Sequence, residues 1–178
     1  MYPNTSWVIP LLALALAASP IEAQDAGARQ AYFRAVAGYF HLPPAEIAIL
    51  GDWEIPPDDI PVVLFIAARA GVSPEALVAL RGSGASWADL TRRYQINASQ
   101  LHVPFSRPPS SGTLAAAYEQ YGDRPVGQWG QISLGDEEIV ALVNVRVLST
   151  VLGMRPETVL ERRATARSFV DLYARMIG

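Results

Sequence analysis

The sequence contains no cysteine, no lysine and only two histidines, His41 and His102. Without cysteine there is no disulfide, no thiolate metal site, no thiol nucleophile and no lipid-modified N-terminal cysteine. The two histidines leave few bases for nucleophilic catalysis, and His41 beside Leu42-Pro43-Pro44 and His102 beside Val103-Pro104 lie in no recognisable motif. Phosphate loops, dinucleotide fingerprints, zinc-ligand spacings and EF-hand loops are all missing. Gly82-Ser83-Gly84-Ala85-Ser86 is not a nucleophile elbow, because it follows no predicted strand and does not end in glycine. The expectation is a protein without catalytic residues, cofactor or metal.

What is present is a chain of 178 residues, 51% apolar, with a formal net charge of −3. That suits one domain with a real core and excludes a disordered or polyionic protein. The first 23 residues have a separate logic. Trp7 to Ala18 is an uncharged run, followed by Ser19, Pro20 and a small-residue end at Ala23. This pattern predicts a secretory signal peptide over residues 1–23, although Met1 to Ser6 holds no basic side chain. The run is shorter than the roughly 20 apolar residues of a transmembrane helix, so no stable membrane span is expected after cleavage. The implied location is periplasmic or secreted.

Residues 24–178 read as all-α. Phe33, Val36, Ala37 and Phe40 recur at helical spacing and predict an amphipathic first helix over residues 28–40. Pro44 opens a short second helix that Gly51 ends. A helix over residues 58–70 is apolar on nearly every side and is expected at the centre. Gly71 suits its left-handed end, while Ser73 with Pro74 and Ser86 with Asp89 start two more helices. Asn97 with Gln100 caps a brief turn. Proline and glycine then dominate a connector over residues 103–135, interrupted by a helical stretch from Thr113 to Tyr121. From Asp136 the chain is helical again, with Leu134 placed to staple against Ile139.

Setting Gly71 against Gly153, an offset of 82, pairs Pro74 with Pro156, Glu75 with Glu157, Arg81 with Arg163, Ser86 with Ser168, Trp87 with Phe169 and Asp89 with Asp171. The expected architecture is therefore a compact helical domain of two similar three-helix units, residues 60–96 and 142–178, joined by the connector. Residues 66–80 also resemble a helix-turn-helix, whose second helix would enter a DNA major groove. Its outward positions, Glu75, Ala76, Val78 and Ala79, offer no base-reading donor, so no nucleic-acid partner is expected.

The mature region, through Val72 to Glu75, Leu80-Arg81, Ser86-Trp87 and Asp89, resembles a group of exported bacterial helical proteins without assigned activity. The resemblance implies fold and location only. Two places are candidates for a binding surface: Tyr118, Tyr121 and Trp129 in the connector, and Asp52, Trp53 and Glu54 in an acidic stretch that continues to Asp58 and Asp59. Aromatic residues that pin a loop and acids that cap the next helix are the plainer readings of both. A carboxylate hydrolase would have to use Asp52, Glu54, Asp58 and Asp59. Residues 24–60 carry six acids against two arginines, and residues 139–178 three against six. These complementary ends dock within one molecule or link copies as a homo-oligomer. The reading that results is an exported, non-enzymatic protein acting on a protein partner in the cell envelope, with a DNA-binding regulator and a small hydrolase as its alternatives.

Overall fold

The computed structural model describes residues 20–43, 46 and 49–178, so most of the expected signal segment and part of the short helix opened by Pro44 lie outside the described residues. The described chain is all-helical, with no strand among the described residues. Helix α1 is Pro20–Tyr39. A 3-10 turn at Pro57–Asp59 leads into α2, Ile60–Ala70, and then come α3 (Pro74–Gly82), α4 (Trp87–Arg93) and α5 (Ala98–Leu101). In the connector lie α6, Ala115–Gly122, and a 3-10 segment, Val126–Gln131. The C-terminal elements are α7 (Asp136–Leu152), α8 (Pro156–Arg163) and α9 (Phe169–Ile177).

The expected punctuation holds in detail. Gly71 and Gly153 end α2 and α7 in the left-handed conformation, at φ 66° and 61°, which glycine adopts without Cβ strain. The Ser73, Ser86 and Ser168 side chains accept the N3 amides of α3, α4 and α9. The Asn97 and Gln100 side chains both engage the start of α5, Asn97 taking the Ser99 N–H and Gln100 the Asn97 N–H. At α7, Glu138 accepts the Gly135 N–H at 2.7 Å, and a glycine can offer no side chain in return. Helix α1 begins eight residues before its predicted start at residue 28, because nothing between Pro20 and Ala28 breaks it.

Helices α2 and α7 pack against each other at the centre, and α1 crosses both α7 and α9. Every residue of α2 from Ile60 to Ala67 is buried, as the all-round apolar pattern predicts. Tyr32, Phe33, Val36 and Ala37 are the buried stripe of α1. Among the described residues no single helix is long and apolar enough to cross a membrane; most of the apolar residues of α7 are buried in this core.

One buried group breaks the apolar pattern. Asn144, in the middle of α7, is 0% exposed. Its Nδ2 donates to the Asp58 carbonyl at 2.7 Å and to the Val140 carbonyl at 2.9 Å, while its Oδ1 accepts from the Tyr32 hydroxyl. A single amide thus ties α1, α7 and the turn before α2 together. Replacing it by an apolar side chain strands two polar groups away from water. Asn144→Leu should lower unfolding stability by about 2–3 kcal/mol in urea titration, and adding Tyr32→Phe should recover about 1 kcal/mol of that loss by removing one stranded partner.

Candidate functional site

The acidic stretch does not stay together in the fold. Asp52 and Glu54 are exposed, whereas Trp53 is half-buried against the core beside a cleft of about 20 Å³ formed with Leu42, Leu50 and Leu64. That volume holds about one water molecule. Asp58 and Asp59 turn inward instead. Among the described residues no three histidine, aspartate or glutamate side chains are placed to hold a metal ion.

Asp58 does not cap the helix it precedes. Its carboxylate accepts the N–H groups of Phe169 at 3.0 and 3.1 Å and of Val170 at 3.3 Å, satisfying first-turn donors of α9 that lie 111 and 112 residues away in sequence. Asp59, 6% exposed, accepts from the Trp87 indole N–H at 2.9 Å and lies 3.5 Å from Arg81 Nε. Burial raises both carboxyl groups above the ordinary aspartate value, against the pull of these donors. Asp136, the first residue of α7, completes the arrangement in the other direction. It accepts the Ala88 N–H at 3.0 Å, in the first turn of α4, and pairs with Arg81 Nη1 at 3.0 Å. The start of each central helix therefore caps a short helix that follows the other one.

These groups floor a half-open groove of about 1200 Å³. Trp87 and Phe169 stand on its floor, each with a guanidinium 5.0 Å above the ring: Arg81 over Trp87, Arg163 over Phe169. One wall is the proline-rich loop of residues 105–113, which Glu157 holds by accepting the Ser106 N–H. No sequence motif marks this groove, because its residues come from five separate stretches of chain.

The aromatic candidates of the connector lie elsewhere. Tyr118 and Tyr121 are buried, their hydroxyls donating to the Val103 and Ala98 carbonyls, and both are held neutral by burial. Trp129 is half-buried, and its indole N–H is shared between the Tyr121 and Arg124 carbonyls at 3.0 and 3.1 Å. His102 sits among all three rings, 4.3 Å from Trp129 and 4.8 Å from Tyr121 between centroids. The cluster pins the connector to the core; it does not line the groove. Arg146 closes it from α7 by donating to the Gln100 and His102 carbonyls at 3.0 and 2.8 Å.

The acidic and basic ends of the chain meet within one molecule, through Asp58 at α9 and through Arg167, which lies 3.7 Å from Asp25 of α1.

Burial, with the Arg146 charge nearby, lowers the pKa of His102 from its ordinary 6.5. The unfolded chain then takes up a proton that the folded chain refuses, so stability is fully present above the ordinary histidine pKa and falls as pH drops through it. Urea midpoints measured at pH 7.5 and 5.5 should show this loss in the wild type, and His102→Phe should lose that part of the pH dependence.

No protein-family model, curated protein or solved structure matches this chain, so the geometry above carries the functional reading alone.

Proposed function

We propose that the protein is exported to the periplasm or beyond and acts there without catalysis, through contacts with another protein made at the groove between α4 and α9. The observation that carries this reading is the groove itself, where half-buried Phe105, Val140 and Leu160 are rimmed by arginines and carboxylates, with Trp87 and Phe169 buried beneath them. An apolar centre inside a polar rim is the anatomy of a protein-binding patch. The loop wall adds exposed Arg107, Pro108, Ser110 and Ser111, side chains free to meet a partner. Export rests on the N-terminal pattern of apolar run and small-residue end.

The hydrolase alternative has one observation in its favour, since two adjacent carboxylates with raised pKa values line a cavity. Both carboxylates already accept from donors of the fold, Asp58 from two amides of α9 and Asp59 from the Trp87 indole beside Arg81, so neither is poised to move a substrate proton. DNA binding gains nothing from the fold. The exposed surface of α3 presents Glu75, Ala76 and Ala79, and Arg81 at its end turns into the groove to pair with Asp59 and Asp136.

A photo-cross-linking amino acid at Ser110, on the groove wall, should yield a discrete adduct in the native cell envelope, whereas the same group at Ala76 should yield none. Sequencing the envelope-associated protein should give an N-terminus just after Ala23. Equal adducts from both positions would overturn the groove, and an intact N-terminus confined to the cytoplasm would overturn export.

A further inference from the structure

One wall of the groove stands almost unsupported. Residues 106–113 all line it, and all of them except half-buried Pro109 are exposed to solvent. The loop is fixed at its two ends. At one, the Tyr118 hydroxyl bonds both the N–H and the carbonyl of Val103, and the Phe105 ring packs edge-on against the Tyr118 ring, 4.8 Å away between centroids. At the other, Leu114 is 0% exposed. Between these anchors a single side chain holds the loop from outside. Glu157, in the first turn of α8, accepts the Ser106 N–H. Apart from that carboxylate, no hydrogen bond among the described residues joins residues 106–111 to the rest of the fold.

The loop's own sequence suits it to move as a piece. Pro108 and Pro109 lock φ at two successive positions and have no N–H to bond inward, so the middle is a short stiff rod. Gly112, at φ 76°, turns the chain in a left-handed conformation with no atom within 4 Å of where a Cβ would stand. A stiff segment that ends in a glycine turn and has the open groove on its inner side is built to swing. The Glu157 carboxylate joins this segment to α8. Its own N–H first, and then the loop groups of Ser106 and Arg107, hold it below the usual glutamate pKa, so it meets the loop as an ionised acceptor, the stronger kind.

We propose that residues 107–112 form a strap, latched by Glu157 at Ser106 and turning at Gly112, whose release swings this wall outward and widens the groove. The inference rests on the groove being the working surface, whose width the strap sets.

The chain has no cysteine, so pairs of introduced cysteines carry nitroxide labels to chosen positions alone. Labels in S110C/E161C report the strap against α8, and labels in E137C/E161C report α7 against α8 as a reference; all three positions are exposed and line the groove. In the full chain, pulsed dipolar spectroscopy should give one narrow distance from 110 to 161. E157A should lengthen it by roughly 3 Å or more, about the length of one residue of chain. S106P, which removes the donor and leaves α8 untouched, should give the same displacement, and the two together should go no further than either, because both break one bond. The reference distance should hold in every variant, which a general loosening of the fold would not allow. A strap distance already broad without either substitution, unmoved by both of them, or changed only in step with the reference would overturn the proposal. Cross-links from Ser110 beside a strap indifferent to Glu157 would leave the groove reading standing and sink this one. A latched strap without cross-links would do the reverse.

Discussion

The fold depends on what happens at two consecutive residues, Asp58 and Asp59, where the chain turns into its most buried helix. Ordinarily, acids at this point serve the N-terminus of their own helix. Here Asp58 reaches to the first turn of α9, Asp59 to Trp87 at the start of α4, and the Asp58 carbonyl takes the amide of buried Asn144. Three elements remote in sequence are thereby placed against one turn. Asp136 answers from the start of α7 by capping α4 and pairing with Arg81. Partly buried carboxylates on backbone N–H groups form stronger hydrogen bonds than neutral acceptors, which offsets part of the desolvation that burial imposes.

From that arrangement the groove follows. The same carboxylates that cap α4 and α9 bring Trp87 and Phe169 to one floor, with an arginine over each ring. At one end Arg81 is paired within the chain, with Asp59 and Asp136.

Local chemistry made much of this legible in the sequence. Glycines 71 and 153, serines 73, 86 and 168, and the Asn97 and Gln100 pair act through neighbours within a few residues, so their spacing alone predicts them. Long-range partners were not legible. Asn144 lies in a buried, otherwise apolar run from Ala141 to Val145, and nothing nearby announces Tyr32 or the Asp58 carbonyl as its partners. Tyr118 and Tyr121 show why spacing falls short: a separation of three residues puts them on one helical face but does not say whether that face meets solvent or core. They meet the core, and the groove forms instead where caps from opposite ends of the chain converge.

The most direct test of this account is amide hydrogen exchange on Asp58→Ala, compared with the wild type under native conditions. If Asp58 holds α9 from a distance, exchange at Phe169 and Val170 should accelerate at least tenfold while the first-turn amides of α2 keep their protection. Acceleration confined to α2, with α9 unchanged, would mean that Asp58 serves only the helix it precedes and would contradict the account.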